Sequence, residues 1–254
     1  NGETWENYSQ GKDDNFTSIW GSASDDIYFT RSSDSALLHW NGKKLEPIDP
    51  GLSSAWVDIW GTGPDDIWLV GLGSVMAHYD GYFWGDVSPE LSVFGLNAIH
   101  LTSNEGPWAV GPYGQFCERD GGNWTCNDIL TYVSVLELWG TSGESMQAMS
   151  TWGELMSLNG DTWTLDEPTS GTYFHSVWQT GENEAWGTRT DSSADRLMFY
   201  KWDGLGWDEI PVNVPRLIRD VWMDTDGQGW TVGEDGSACH FDGTSWTCHE
   251  TYTD

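Results

Sequence analysis

Three carboxylates stand two residues ahead of a tryptophan: Asp58, Glu137 and Asp220, in the segments "DIW", "ELW" and "DVW". Acids that converge can hold a divalent cation such as Ca2+ in a shell of oxygens. Their mutual repulsion can also raise one pKa, so that a proton is held and donated. Glycoside hydrolysis would need two such groups, Asp195 being a further candidate, roughly 5–9.5 Å apart. A lyase would lean instead on His175, Tyr113 or Arg219. An acidic, water-filled channel is the plain alternative. No Ser-His-Asp order, phosphate loop or complete metal-ligand set accompanies these residues. The segment "MDTDGQGW" supplies only part of an EF-hand calcium loop. On sequence the case for an enzyme is weak, no cofactor is required, and Ca2+ is the one ion to test.

A unit repeated six times must position them. The tryptophan after Asp58 recurs as Trp20, Trp60, Trp139, Trp178 and Trp222, with His100 in the third slot, at intervals of 40, 40, 39, 39 and 44 residues. A second aromatic follows eight residues later as Tyr28, Trp68, Trp108, Trp186 and Trp230, a series that Gln147 breaks. A third element closes each unit: "WNGKKL", "YDGYFW", "RDGGNW", "LNGDTW", "WDGLGW" and "FDGTSW". Repeats near 40 residues signal a propeller or a solenoid, and the absence of helical periodicity disfavours helical solenoids. In the second unit the turn residues leave four short strands, near 56–60, 66–70, 75–79 and 83–87. Four strands per unit of this length match a propeller blade.

The expected fold is therefore all-β, a six-bladed β-propeller of four-stranded antiparallel blades, spanning residues 1–254 as one domain. The blades fall at about 16–52, 53–91, 92–130, 131–170, 171–214 and 215–254, with residues 1–15 adding an N-terminal strand through "NGETW". A seven-bladed ring with one incomplete blade is the alternative. The segment "IWGTGPDDIWLVG…MAHYDGYFW" resembles the Trp-Gly propeller repeats of secreted proteins of myxobacteria and related bacteria. The resemblance covers almost the whole chain. It implies a propeller fold and secretion, and it implies little about activity, because a scaffold of this kind carries its function in grafted loops.

Seventeen of the 19 tryptophans fill repeated slots and read as packing between and within blades; Trp56 and Trp152 do not. In an antiparallel meander the second-to-third-strand loops share one end of the blade with the blade-to-blade connections, and there the repeats diverge most. The position of Gly73 becomes Tyr113, Trp152 and Asp235. The fifth blade inserts "GTRTDSSADR", bringing Arg189, Asp191, Asp195 and Arg196, and the connections add Phe94, Tyr132, Tyr173, Phe174 and His175. Loops on a rigid scaffold are common homes of binding residues. The candidate ligand contacts are thus Trp56, Tyr113, Trp152, Phe174, His175, Arg189 and Arg219, with Asp58, Glu137 and Asp220 as the candidate cation ligands. The acidic turns and the NG/DG turns lie at the opposite end and read as turn chemistry.

The four cysteines form two matching frames, "CERDGGNWTC" and "CHFDGTSWTC". Two-residue turns at Gly121-Gly122 and Gly243-Thr244 place Cys117 opposite Cys126 and Cys239 opposite Cys248. In a non-hydrogen-bonded antiparallel pair the Cα atoms lie about 4.5 Å apart, close enough for a disulfide. Two separated pairs supply a zinc site poorly. Disulfides imply an extracellular, cell-surface or periplasmic location. The formal charge of −30 excludes nucleic acid as a partner, and no run of about 18 apolar residues exists to enter a membrane. The expected function is a monomeric, secreted, lectin-like propeller binding a glycan. A protein-interaction scaffold and a glycan-active hydrolase or lyase are the alternatives.

Overall fold

The computed structural model describes residues 16–31, 37–89, 95–102, 105–128, 134–143, 145–159, 162–165, 174–181, 184–191, 196–203, 206–210, 218–223, 227–233 and 237–250. The N-terminal segment 1–15, expected to form an extra strand, lies outside them.

Twenty-four strands build six antiparallel sheets. The first is β1 (Phe16–Ala23), β2 (Asp26–Arg31), β3 (Leu37–Trp40) and β4 (Leu45–Ile48). The second is β5 (Trp56–Gly63), β6 (Asp66–Gly71), β7 (Met76–Tyr79) and β8 (Trp84–Asp86), and the third is β9 (Ala98–His100), β10 (Trp108–Val110), β11 (Gln115–Asp120) and β12 (Asn123–Asp128). The fourth comprises β13 (Val135–Ser142), β14 (Ser145–Ser150), β15 (Leu155–Asn159) and β16 (Thr162–Leu165). The fifth is β17 (Phe174–Gly181), β18 (Glu184–Asp191), β19 (Arg196–Trp202) and β20 (Trp207–Ile210); the sixth is β21 (Ile218–Met223), β22 (Gly229–Gly233), β23 (Ser237–Phe241) and β24 (Trp246–Glu250). Each sheet is a meander in chain order, and no α-helix occurs among the described residues. These are the blades of an all-β, six-bladed β-propeller fold. The chain divides into two compact units, residues 1–138 with 142–144, and residues 139–141 with 145–254.

Burial follows strand order within a blade. The run "DIWLVG" of β6 is apolar on both faces and is buried from Ile67 to Gly71, whereas the outer β12 alternates exposed and half-buried residues. That difference is the one between a two-sided and a one-sided strand. The cores lie between neighbouring blades. In the N-terminal unit Tyr28, Leu37, Trp56, Ile59, Ile67 and Leu69 cluster between blades one and two, and Trp68, Val70, Met76, Leu96, Ile99 and Cys117 between blades two and three. In the C-terminal unit Trp139, Met149, Phe174 and Tyr200 form one such cluster, and Trp186, Phe199, Met223 and Phe241 another.

The repeated tryptophans join blades by hydrogen bonds as well as area. Trp60 Nε1 donates to the carbonyl of Leu101 at 3.0 Å and Trp178 Nε1 to that of Met223 at 2.9 Å, each reaching the next blade. The ring of Trp20 lies so close to Gly61 that a Cβ there would stand 2.7 Å from it, which is why the residue after Trp60 is glycine. Gln147, the break in the second aromatic series, accepts the indole N–H of Trp139 at 2.6 Å. The residue before each NG/DG turn faces the fourth-strand residue as expected: Trp40↔Leu45, Tyr79↔Trp84, Arg119↔Trp124, Leu158↔Trp163, Trp202↔Trp207 and Phe241↔Trp246.

First strands run longer than the turn residues implied. β5 continues to Gly63, and bulges between Trp56 and Asp58 and between Gly61 and Gly63 absorb the extra residues, leaving Pro64-Asp65 as the turn. Cys117 pairs with Cys126 in register and in a disulfide, with Cα atoms 4.1 Å apart. Cys239 is also disulfide-bonded and stands opposite Cys248 in the ladder.

Candidate functional site

Backbone contacts define the two ends of the blades in the N-terminal unit. At one end the first and third turns of a blade touch: Gly42 abuts Asp25 and Gly81 abuts Asp65, both glycines at positive φ. At the other, the loop end, the 3-10 turns Leu72–Ser74 and Pro112–Gly114 meet the blade connections. Leu72 N–H bonds the carbonyl of Ala55, Gly95 N–H bonds Ser74 Oγ, and Val135 N–H bonds the carbonyl of Gly111.

The loop end presents Tyr113. It takes φ +60° and ψ 27°, the left-handed region, where blade two has Gly73 at φ +74°. A left-handed residue with a side chain costs roughly 1–2 kcal/mol, yet the side chain is 62% exposed. Pro112 fixes φ on one side and the Gln115 amide closes the turn onto the Pro112 carbonyl on the other. Leu72, on the corresponding loop of blade two, is exposed as well.

Trp152 in the C-terminal unit is 61% exposed. Ser150 Oγ organises its loop, accepting the amides of Trp152 and Glu154 at 3.2 Å and donating to Glu154 Oε2 at 2.9 Å.

Two of the expected aromatic contacts are corrected. Trp56 is 0% exposed, packed in the core between blades one and two. Phe174 is buried against Tyr200 and Trp207, with ring centroids 5.6 and 4.6 Å away. Both occupy a slot four residues ahead of the first-strand tryptophan, which the sequence fills with Phe16, Trp56, Leu96, Val135, Phe174 and Ile218. That apolar series was the signal that marks them as core. Arg189 lies within 3.5 Å of the Tyr200 hydroxyl, on strand β18. The strands carry His175 and Arg219, but their side chains lie outside the described residues, as do Phe94, Tyr132, Tyr173 and Asp195 altogether.

Among the acids of the inner strands, Asp58 has structural partners. Asp58 Oδ1 accepts the Ser18 hydroxyl at 2.6 Å and its own strand's Ile59 amide at 2.9 Å, while Oδ2 accepts the Ile99 amide at 3.0 Å. One carboxylate therefore ties the first strands of blades one, two and three. The alternation of acids with small residues follows, since Ser18 and Ala98 leave room for Asp58 to reach across. Glu137 is half-buried, and the side chain of Asp220 lies outside the described residues. Among the described residues no three His, Cys, Asp or Glu side chains gather as a metal would require.

A second set of charges is likewise structural. His78 Nε2 and Asp66 Oδ1 are 2.8 Å apart, and the imidazole stacks on Trp68 at 4.0 Å, whose Nε1 donates to the same Asp66 at 2.8 Å. His39, Asp26 and Tyr28 repeat the arrangement in blade one. In blade five Lys201 replaces histidine, paired with Glu184 and lying 4.7 Å over Trp186. Burial pushes the Asp66 carboxyl up, but donors from Thr62, His78 and Trp68 outweigh it and hold the pKa below the usual value. The Lys201 ammonium does the same for Glu184. A void lined by Trp139, Gln147, Leu155, Trp202 and Trp207 measures about 10 Å3, room for no more than a single water.

No protein-family profile and no curated protein matches the chain. Solved structures do. YCF48 bound to D1 peptide is 17% identical, with a TM-score of 0.72, covering 93% of this chain and 82% of that one. A streptogramin B lyase is 10% identical, with a TM-score of 0.79 over 97% and 86%. The WD40 β-propeller domain of Doa1 is 9% identical, with a TM-score of 0.73 over 94% and 83%. At these identities the likeness is one of fold.

Proposed function

We propose that the chain is a non-catalytic binding propeller that holds a peptide segment of a partner protein at the loop end of its N-terminal unit. The observation that carries this reading is Tyr113, kept exposed in a left-handed conformation where glycine would serve the turn without strain. Strain retained in a side chain that adds little to the core points to a use outside the core. Leu72 on the neighbouring loop supplies a second apolar contact. The solved relative with a bound peptide supports the same class of ligand for a scaffold of this shape, and a formal charge of −30 favours basic partners.

A carbohydrate ligand is the second reading, and Trp152 favours it: a flat indole on a loop braced by Ser150 is a suitable face for a sugar ring. It is weaker than the sequence implied, because Trp56 and Phe174 are buried. The disulfide Cys117–Cys126 supports a secreted or periplasmic protein of the Trp-Gly repeat type.

Peptide-display selection against the immobilised chain, run beside a glycan array, tests the assignment. Peptides whose binding is lost in Tyr113→Gly support it. Binding confined to the array and lost in Trp152→Ala replaces it with the carbohydrate reading.

A further inference from the structure

Tyr82 and Phe83 sit at the opposite end of blade two, in the turn between β7 and β8, and are 89% and 66% exposed. Their rings add little to the core, so folding does not account for them. The turn itself is stiff. Asp80 Oδ1 accepts the amides of both residues at 3.0 Å, Tyr79 donates its hydroxyl to the Gly81 carbonyl at 3.0 Å, and Gly81 adopts φ +88° against Asp65. The same backbone device recurs with other side chains at the tip. Asn41 holds the amides of Lys43 and Lys44, and Asp242 those of Thr244 and Ser245. The six repeats carry Lys-Lys, Tyr-Phe, Gly-Asn, Asp-Thr, Leu-Gly and Thr-Ser at these two positions. Only blade two places adjacent aromatics there.

The charge that blade two itself carries is one-sided, although the Arg119 guanidinium of blade three lies 5.1 Å over the ring of Trp68. Residues 53–91 contain Asp58, Asp65, Asp66, Asp80, Asp86 and Glu90 and no lysine or arginine. Asp65 and Asp80 are exposed and belong to the turns at this end, and amide donors from Phe83 and Tyr82 keep the Asp80 carboxyl below its usual range. Aromatic faces beside carboxylates attract a cation twice over, through the ring quadrupole and through charge. We propose that Tyr82 and Phe83 form a docking point for a basic segment of a partner protein, with an arginine laid over the rings and its guanidinium shared with Asp65 and Asp80. This surface is independent of the Tyr113 loops and lies at the other end of the blade.

The test uses the full chain and a fluorescein-labelled octapeptide of alternating arginine and glycine, with fluorescence anisotropy as readout. Tyr82→Thr/Phe83→Ser borrows the turn of blade six, so the thermal midpoint should be unchanged while affinity falls about tenfold, the loss of one good stacked cation. The single Tyr82→Thr, altering a ring almost wholly in water, gives the same direction should the double variant fail to fold. Asp65→Asn weakens binding about threefold, and the wild-type affinity falls with added salt. Equal binding by the aromatic-free variant overturns the proposal, since general acidity would then suffice. Equal binding of the peptide with citrulline in place of arginine overturns it too. So does a wild-type dimer in sedimentation that the double variant abolishes, which would make a second copy the occupant.

Discussion

The hydroxyl of Ser18 lies 2.6 Å from Oδ1 of Asp58, one repeat further along the chain, and the other oxygen of that carboxylate takes the amide of Ile99 in the third blade. A residue whose position invites a catalytic or metal role is here a fastening between three first strands. Asp58→Ala leaves the Ser18 hydroxyl and two amides without their acceptor, at a cost of about 2 kcal/mol. Asp58→Asn, which keeps one carbonyl acceptor, loses about half of that. Urea unfolding at neutral pH measures both. Ca2+ and chelator should leave the wild-type midpoint unchanged; a rise of several degrees with Ca2+ would return the acid to the list of cation ligands.

Asp66 gives a pH signature. Its folded pKa lies below the usual 3.8. The unfolded chain therefore binds a proton first as pH falls, and the stabilisation, complete above the unfolded value, is lost as pH drops through the folded one. The side chains of Asp66 and His78 are 36% and 25% exposed, so solvent screening holds the contribution to about 1 kcal/mol or less. Asp66→Asn should lower the thermal midpoint at pH 6 and flatten its decline toward pH 2.5. An acid limb as steep as the wild type's would show that other carboxylates dominate it.

The fold was legible because the same physics is written six times. Spacing near 40, the NG/DG turns and the paired aromatics each depend on local geometry, and the register of Cys117 with Cys126 followed from counting out of a two-residue turn. The site was less legible. Trp56 and Phe174 stand near loops in the chain, yet the apolar series from Phe16 to Ile218 assigns them to the core, where they are buried. Tyr82 and Phe83 show the converse. They fill the two variable positions inside the NG/DG element, where no other repeat carries an aromatic, and their exposure in the folded blade separates them from the packing aromatics. Asp58 looked available because sequence cannot show that its two lone-pair faces point at neighbouring blades.

The cross-strand disulfide closes a loop of about ten residues, for which chain-entropy reasoning gives about 2–3 kcal/mol. Cys117 is buried beside Trp68 and Trp124, so a serine there also places a hydroxyl in apolar surroundings. Cys117→Ala/Cys126→Ala isolates the cross-link. Its thermal midpoint should fall by several degrees and cease to respond to reductant, apart from the response of the bonded Cys239. An unchanged midpoint would mean that blade three is held by its inter-blade core alone.

Tyr113 separates a functional side chain from a structural one. Glycine suits its backbone angles and alanine does not, so Tyr113→Gly and Tyr113→Ala remove the same ring while treating the strain oppositely. Releasing the left-handed penalty gains roughly 1 kcal/mol, and the greater freedom of glycine in the unfolded chain takes back most of it. The glycine variant should therefore match or slightly exceed wild-type stability, and the alanine variant, which keeps the left-handed penalty but not glycine's unfolded-state freedom, should lie within a few tenths of a kcal/mol below the glycine one. Both should lose the selected peptide ligand to the same extent, because binding depends on the ring and not on the backbone. If Tyr113→Gly keeps full affinity, the aromatic is a passenger on its turn and the loop end is not the binding surface. If both variants lose stability by several kcal/mol, the ring holds its loop in place rather than serving a ligand.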